Sequence, residues 1–404
     1  MSSRVEAAEV VVVGGGPAGS ALAAELARRG RDVLLVDRHT FPRWKPCGEC
    51  VNPGGVRALR RLGFLSAVEG TSPVALTGWS LVSPGGRRAW APFPRSEVGW
   101  GVDRGTFDAT LLGEALKRGA RVIEGARVHG VTLGSRSESP EALGVGSDGA
   151  ELRLVASILV GADGLRSVVA RQLGALRRGP RLRKVSLTWR VRGRGPAAER
   201  GHLFLGGEVT VGLAPVPGPG GAGEHWNATL VVHARTLGSG LRARGWELLT
   251  RALEPLVGAW EEGPELVDGP WASGPFDWPT GRVLRGRVLL VGDAAGYYDP
   301  LTGQGIYRAL RGGELAAAVI DAALPKRASG VEWAGGMSAP SERALAAYPK
   351  AIARVFGVGE RVQHVIEAVV SRPALREPAL SFLERSERAG SLLTRIVGDV
   401  RPAP

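Results

Sequence analysis

The chain has 404 residues, of which 44% are hydrophobic, and this is enough to bury a large core in two or three domains. It carries a formal charge of +13 and contains two cysteines. So few cysteines exclude a secreted fold held by several disulfides, and a cytoplasmic location is expected. The chain has no run of about 18 uncharged apolar residues, which argues against a transmembrane helix. The acidic residues ahead of the first apolar run likewise argue against a signal peptide.

The positive charge comes almost entirely from arginine, since only five of the 52 Lys and Arg residues are Lys. The arginines are spread along the chain without a long basic run or a nucleic-acid-binding motif, so nucleic acid is not an expected partner. Scarce Lys beside abundant Ala, Gly and Arg is more typical of a compositional bias of the source genome. Peripheral contact with an anionic membrane surface stays open as an alternative.

The first predicted element is a strand at residues 10–13, where a continuous apolar run indicates burial on both faces of a parallel sheet. Directly after it, Gly14, Gly16 and Gly19 fit the spacing G-x-G-x-x-G at the start of a predicted helix. The first glycine allows a tight turn, the second lets the backbone approach a pyrophosphate, and the third lets the helix pack on the strand. Free N–H groups at the helix start favour phosphate. The stretch therefore predicts a dinucleotide site.

The second predicted strand, residues 33–36, ends in Asp37. A carboxylate at this place accepts the ribose hydroxyls of adenosine. It also disfavours a 2′-phosphate, so the site suits NAD or FAD better than NADP. The fingerprint by itself does not separate NAD from FAD.

A loop rich in proline, glycine and cysteine follows, before a helix predicted at residues 56–62. It contains Cys47-Gly-Glu-Cys50, which allows two interpretations. One is a redox pair close to a bound ligand, and the favoured one is a tight loop with one cysteine lining a pocket. No second cysteine pair accompanies it and His39 is isolated, so no metal site is predicted.

Further along, alternation predicts short antiparallel strands within residues 74–100, with a hairpin at Pro84-Gly85-Gly86. A helix follows and ends at Gly119, and a later buried strand runs into the motif GADG at residues 161–164. A short helix is expected from about residue 166 to 173. Period-two alternation from 181 to 270 predicts an antiparallel sheet of a second domain, with a helix at about 241–256.

A last parallel strand is predicted at residues 287–291, leading into GDAAG at 292–296. A helix is expected to begin near Ile306. The remainder, residues 341–400, predicts amphipathic helices that are broken at Pro373 and Pro378 and cap the pocket.

Three separated motifs coincide: the glycine fingerprint with its aspartate, the GADG at 161–164, and GDAAG…P…G-x-G at 292–305. Together they resemble the p-hydroxybenzoate-hydroxylase-like FAD superfamily, which includes aromatic hydroxylases, flavin-dependent halogenases and geranylgeranyl reductases. The likeness is strongest to the geranylgeranyl-reductase-type branch. KPCGE (45–49) resembles its cysteine–glycine loop, and GDAAGYYDPLTGQGIYRALRGGELAA (292–317) resembles its carboxy-terminal flavin motif.

The resemblance implies an α/β fold with a GR2-type Rossmann-like FAD-binding domain, an inserted antiparallel β-sheet substrate domain and a helical C-terminal segment. The FAD-binding domain is expected at residues 1–75, 101–180 and 273–330, the substrate domain at 76–100 and 181–272, and the helical segment at 331–404. The implied cofactor is FAD, bound tightly and non-covalently, with NADPH or NADH as reductant.

By the same resemblance, Asp293 bonds the ribityl chain of FAD, and Arg104 approaches its phosphates. Val128 is expected near the adenine, and Asp163 beside the pyrophosphate and a nicotinamide path. The N-terminus of the helix after Gly305 points at the flavin ring, where its dipole favours the negative charge of reduced FAD. The expected cofactor-binding residues are Gly14, Gly16, Pro17, Ala18, Gly19, Asp37, Arg38, Lys45, Cys47, Gly48, Arg104, Val128, Asp163, Gly164, Gly292, Asp293, Pro300, Gly303, Gly305 and Ile306.

Two departures from the family bear on the reaction. The halogenase motif G-W-x-W-x-I-P has no counterpart, the nearest segment being GLAPVPG at 212–218, so halogenation is not expected. The reductases carry Cys-Gly-Gly, whereas this chain has Cys47-Gly48-Glu49, which weighs against isoprenoid double-bond reduction. Glu49 is either a proton donor or base beside the flavin, or a loop carboxylate whose hydrogen bonds are satisfied.

The expected activity is FAD-dependent monooxygenation of a hydrophobic small molecule of secondary metabolism, such as a polyketide, phenol or quinone. The alternative is a geranylgeranyl-reductase-like double-bond reductase with Cys47 or Glu49 as the catalytic proton donor, and a partner reductase is an alternative electron source. A flavin-binding redox sensor using Cys47 and Cys50 is an alternative from another class. The substrate is expected between the second sheet and the flavin, against some of Trp189, Phe204, Leu213, Trp226 and Tyr297.

Overall fold

The computed structural model describes residues 3–135, 138–176, 179–180, 182–219, 221, 223–237, 241–257, 260, 263–278, 280–325 and 340–398. The strands of this part of the chain are β1 (Ser3–Val13), β2 (Val33–Val36), β3 (Cys50–Val51), β4 (Val74–Leu76), β5 (Gly78–Val82), β6 (Arg88–Pro92), β7 (Gly99–Gly101), β8 (Arg121–Ile123), β9 (Arg127–Thr132), β10 (Glu141–Val145), β11 (Glu151–Gly161), β12 (Lys184–Arg192), β13 (Gly201–Leu205), β14 (Val209–Pro215), β15 (His225–His233), β16 (Glu265–Ser273), β17 (Leu284–Arg285) and β18 (Val288–Leu290).

The helices are α1 (Pro17–Arg28), α2 (Pro53–Leu62), α3 (Leu65–Glu69), α4 (Arg104–Lys117), α5 (Val168–Gln172), α6 (Ala234–Leu237), α7 (Leu241–Val257), α8 (Gly305–Ala323), α9 (Glu342–Leu345), α10 (Ala347–Val370), α11 (Pro373–Arg385) and α12 (Glu387–Val397). Two 3-10 turns, Gly292–Ala295 and Pro300–Thr302, precede α8.

The first sheet has the order β17-β18-β11-β1-β2-β8, with β10 attached to β11 and β9 to β10. Strands β2 and β11 both run parallel to β1, and β18 runs parallel to β11. The predicted strand at 10–13 is the C-terminal part of β1, which begins at Ser3 because its first half pairs with β11 from Glu151 onward. The parallel core predicted for the FAD-binding domain is therefore present.

Helices α1, α4 and α8 cover one face of this sheet, and their apolar faces meet in a core that includes Leu22, Phe107 and Leu310. Helices α1 and α8 approach closely at Gly313, where an added Cβ would lie 2.6 Å from the carbonyl oxygen of Ala18. Close packing of this kind holds α8, and with it the motif at 292–305, against the glycine fingerprint.

The second sheet has the order β16-β12-β15-β14-β13-β5-β6 and is antiparallel except for the parallel pair β13 and β5. Helix α7 packs on one of its faces, over a core that includes Trp189 and Trp226. The opposite face of the second sheet borders a cleft whose other wall belongs to the FAD-binding domain. The predicted α/β architecture with a separate antiparallel sheet is therefore confirmed.

The C-terminal helices pack on the end of the second sheet, where α11 and α12 contact β6. The prediction that Pro378 breaks these helices is wrong, because Pro378 lies inside α11. In a helix, the backbone N–H at position 378 would donate to the carbonyl oxygen of Ala374, and proline has no N–H. Ala374 is exposed, so water can donate to its carbonyl oxygen instead. Pro373 begins α11 at a position that tolerates proline. Among the described residues, no helix combines the length and hydropathy needed to cross a membrane.

Candidate active site

A cleft of about 1370 Å³ lies between the FAD-binding sheet and the open face of the second sheet. The loops that follow β1 and β18 form one of its walls. The expected cofactor residues that border it are Gly16, Pro17, Ala18, Lys45, Cys47, Gly48, Arg104, Gly164, Gly292, Asp293, Pro300, Gly303, Gly305 and Ile306. Residues from five separate stretches of the chain thus meet in one place.

A second cavity of about 850 Å³ lies at the carboxyl ends of β1 and β2 and is bordered by Gly14, Asp37, Arg38, Val128 and Asp163. The Asp37 carboxylate accepts hydrogen bonds from the backbone N–H groups of Gly15, at 2.7 Å, and His39, at 2.8 Å. These bonds hold the carboxylate at the cavity wall. This is the end of the site where the adenosine of a dinucleotide is expected.

Gly19 borders neither cavity, and its role is packing. A Cβ at Gly19 would stand 1.8 Å from the carbonyl oxygen of Gly14, so only glycine lets α1 lie this close to the turn. Gly14 itself has a φ of +112°, which side chains other than hydrogen rarely adopt. The backbone geometry of this turn therefore requires glycine at positions 14 and 19.

The start of α1 fits a pyrophosphate. Its N-cap, Gly16, offers no side chain to the first N–H groups of the helix, so these remain available to a phosphate. A guanidinium nitrogen of Arg43 lies 3.5 Å from the place where a Gly16 Cβ would stand. The Nε of Arg43 is buried and has no partner among the described residues. An anionic group at this turn would satisfy both features.

Arg43 and Arg104 are held by one buried carboxylate, Asp108. Arg104 donates to its two oxygens at 2.9 and 2.7 Å, and Arg43 approaches at 3.1 Å. Burial disfavours the charged form of Arg104, but Asp108 and the nearby Cys47 outweigh it, and the pKa of Arg104 rises above its usual value. Only Arg104 of these three residues is predicted from the sequence, although Asp108 lies one helical turn after it, the spacing at which helical side chains pair.

The loop after Arg43 places Cys47 at the wall of the cleft, where its Sγ lies 3.5 Å from the backbone nitrogen of Glu49. Cys50 lies in β3 and is buried, which raises the pKa of its thiol. Both cysteines are free thiols in the structure.

Glu49 is completely buried and makes several hydrogen bonds. Its carboxylate accepts from the backbone N–H of Arg104 at 2.9 Å, from Asn227 at 2.9 Å and from Arg190 at 2.9 Å. Burial raises the pKa of Glu49 to about 7, although the positive charge of Arg190 opposes the rise. These contacts favour the interpretation of Glu49 as a satisfied loop carboxylate that ties the Cys47 loop to the second sheet.

The second sheet presents polar side chains to the cleft, including Ser186, Thr210 and Thr229. Of the residues expected to line a substrate cavity, Leu213 and Tyr297 border the cleft. Trp189, Phe204 and Trp226 do not border it and lie in the core on the α7 side of the sheet. The reason is the period of two in a strand, which sends neighbouring residues to opposite faces.

Outside the residues that border the cleft, Lys184 from β12 forms a buried cluster with Asp299 and Glu367. Its ammonium group pairs with the Glu367 carboxylate and lies 3.8 Å from that of Asp299. Burial raises the pKa of Asp299 to about 6, against the opposing charge of Lys184. The cluster joins the second sheet, the flavin motif and helix α10.

A family model described as "FAD binding domain" matches residues 7–324. The chain belongs to this family. The resemblance to the p-hydroxybenzoate-hydroxylase-like FAD superfamily is thereby confirmed, and the residues around the two cavities fit the cofactor.

Among proteins of known function, a menaquinone reductase of Mycobacterium tuberculosis is 32% identical over 329 residues, which cover 78% of this chain and 77% of the reductase. A digeranylgeranylglycerophospholipid reductase of Methanothrix thermoacetophila is 29% identical over 364 residues, or 87% of this chain and 86% of that protein. The protein is accordingly an FAD-dependent oxidoreductase.

Among solved structures, the p-nitrophenol 4-monooxygenase of Pseudomonas putida superposes with a TM-score of 0.79 at 18% identity, covering 98% of each chain. At this identity the likeness concerns the fold. Reductases and a monooxygenase thus share the architecture, and the architecture does not decide the reaction.

Proposed function

We propose that the protein uses bound FAD to reduce a carbon–carbon double bond in a hydrophobic, lipid-like substrate. The observation that carries this proposal is the Cys47 thiol, which borders the flavin cleft beside the Arg104 guanidinium. Saturation of a double bond requires a hydride and a proton. Reduced FAD, when bound, supplies the hydride. A thiol in the cleft wall is a source of the proton.

The names of the relatives support a reductive reaction, since both are called reductases and one name denotes a phospholipid substrate. The walls of the cleft agree with such a substrate, because Trp79, Leu203 and Ile306 give it an apolar lining. An apolar lining favours a hydrophobic substrate and keeps water away from the reacting bond.

The other residues position these groups. Asp108 holds Arg104 against the Cys47 loop, and Glu49 anchors that loop to Arg190 and Asn227. The N-terminus of α8, at Gly305, borders the cleft and favours negative charge on the flavin through its helix dipole. In this arrangement Cys47 transfers the proton, and Glu49 acts as a positioning residue.

Monooxygenation, the first expectation from the sequence, is the second candidate. The same apolar walls that suit a lipid also provide the water-excluding site that oxygen transfer requires, and Leu213 and Phe276 extend them. The substrate would then be a polyketide, phenol or quinone. NADPH or NADH as reductant, a partner reductase, peripheral membrane contact and a cytoplasmic location stay predictions.

The deciding experiment compares the products of the two reactions. FAD-loaded protein is reduced with dithionite under nitrogen, freed of excess dithionite and mixed with geranylgeranyl diphosphate, which has no quinone ring to reduce, and the mass of the product is measured by mass spectrometry. The proposal predicts oxidation of the flavin without oxygen and a product heavier by two hydrogens. A product that forms only with NADPH or NADH and oxygen, and that is heavier by one oxygen atom, would overturn it in favour of monooxygenation.

A further inference from the structure

A separate cavity of about 1470 Å³ lies between the end of the second sheet and the C-terminal helices α10, α11 and α12. We call it the tail pocket. Its walls are overwhelmingly apolar and include Leu81, Leu205, Val369, Leu380 and Leu383. This volume includes the open mouth of the pocket, and it is the apolar lining that suits a hydrocarbon chain.

The tail pocket adjoins the flavin cleft. Trp79, Leu203 and Leu301 border both cavities, so these side chains form the partition between them. Leu301 belongs to the 3-10 turn of the flavin motif, and the other two residues come from the second sheet. A ligand that occupied both cavities would cross this partition among apolar side chains.

Two buried polar groups mark the inner end of the tail pocket. The amide nitrogen of Asn52 and the hydroxyl of Thr302 border it, and neither has a partner in the described part of the chain. The other amide atom of Asn52 already accepts from the Gly55 backbone at 2.9 Å, so its nitrogen is the free end. Buried donors without acceptors are unfavourable, and an oxygen atom of a ligand would satisfy them.

The outer end of the tail pocket opens between the helices. Val365, Phe382 and Leu392 border it and are 61%, 60% and 55% exposed. Large apolar side chains exposed together indicate a contact with something apolar. These helices lie beyond residues 7–324, the part of the chain that matches the family. The outer wall of the tail pocket therefore lies outside the part of the chain that the family model matches.

We propose that the tail pocket binds the apolar tail of the substrate whose reactive end occupies the flavin cleft. This inference rests on the proposed function and narrows its substrate class to a lipid with a long hydrocarbon chain. An accepting oxygen near the partition would pair with Asn52 or Thr302. The tail then runs beneath α10, α11 and α12 toward the exposed mouth.

The test measures binding without turnover. Oxidised, FAD-loaded protein is titrated with 1,4-naphthoquinones carrying no tail or tails of one to four isoprene units, and binding is followed by the change in flavin absorbance. The affinity is expected to rise about tenfold with each of the first units, because each buries further methylene groups, and then to level off. Equal affinities for all tail lengths would overturn the proposal.

Two tryptophan variants on the same helix locate the effect. Ala379 borders the tail pocket, whereas Ala374 is exposed and does not. Ala379→Trp is expected to remove the dependence on tail length while FAD and the tailless quinone still bind, and Ala374→Trp to retain it. An unchanged dependence in Ala379→Trp would place the tail elsewhere. Thr302→Val is expected to weaken all the quinones alike, by about fivefold.

The outcomes separate this inference from the proposed function. Tail-dependent binding without reduction of any tailed ligand would leave the tail pocket standing and refute the reductase. Reduction of substrates at a rate and affinity independent of tail length would refute the tail pocket and leave the proposed reductase standing.

Discussion

Arg190 on β12 binds the Glu49 carboxylate, with one guanidinium nitrogen 2.9 Å from one oxygen and 3.2 Å from the other. Glu49 is fully buried, and it belongs to the FAD-binding side of the cleft, whereas Arg190 belongs to the second sheet. The same nitrogen of Arg190 also donates to Asp103, at the start of α4, at 3.1 Å. The pair therefore joins the Cys47 loop to the second sheet.

The stability of the protein should depend on pH through Glu49. Its pKa is raised from 4.5 to about 7, so between these values the folded state keeps a proton that the unfolded chain has released. The contribution of Glu49 to the free energy of unfolding is therefore complete below about pH 4.5 and is lost as the pH rises through about 7. Urea unfolding of wild type and Glu49→Gln at several pH values checks this. Wild type should lose stability relative to Glu49→Gln as the pH rises from about 4.5 to about 7. Parallel stability profiles of the two proteins would contradict a raised pKa for Glu49.

Cys47→Ser is expected to slow double-bond reduction about 100-fold, because a hydroxyl is a much weaker acid than a thiol. The FAD spectrum should not change, and anaerobic single-turnover mixing measures the rate. Cys50→Ser is the matched control: Cys50 also borders the cleft, but burial in β3 raises the pKa of its thiol and makes it the poorer proton donor, so this substitution should alter stability more than rate. Thiol titration tests the sensor alternative, which requires a reversible Cys47–Cys50 disulfide that changes ligand affinity.

Two glycine-to-alanine substitutions should have opposite effects. Gly19→Ala places a Cβ 1.8 Å from the Gly14 carbonyl oxygen, so loss of FAD binding and of stability is expected. Gly113 lies inside α4, and no atom of the described residues comes within 4 Å of a Cβ added there, so Gly113→Ala should stabilise the protein by about 0.5–1 kcal/mol. Thermal unfolding with and without added FAD measures both, and an FAD affinity unchanged in Gly19→Ala would refute the packing argument.

The Lys184 cluster should be needed to hold helix α10. Lys184→Met leaves the buried carboxylates of Asp299 and Glu367 without their cation, at an expected cost of about 3 kcal/mol in the free energy of unfolding. The double variant Lys184→Met/Glu367→Leu should recover part of this loss, since one of the two buried charges is then removed. Urea unfolding of the three proteins gives the comparison, and equal stability of wild type and Lys184→Met would show that the cluster contributes nothing.

The sequence by itself determined the cofactor half of the site. Gly14, Gly16 and Asp37 lie within one strand–turn–helix–strand unit, and Asp293 follows a strand that pairs in the same parallel sheet. Their functions depend on local backbone geometry and on short spacings, which a sequence displays directly. The register of the parallel strands then brings the ends of these units to one edge.

Only the tertiary structure decided which side chains of the second sheet lie on the face that meets the cleft. Trp189 and Arg190 are neighbours in β12, and alternation shows that they point to opposite faces without saying which face meets the cleft. Helix α7 covers the face that carries Trp189, so Arg190 lies on the opposite face and binds Glu49. The tail pocket likewise exists only because α10, α11 and α12 fold back over a sheet formed far earlier in the chain. Such contacts join residues distant in sequence, and no local pattern encodes them.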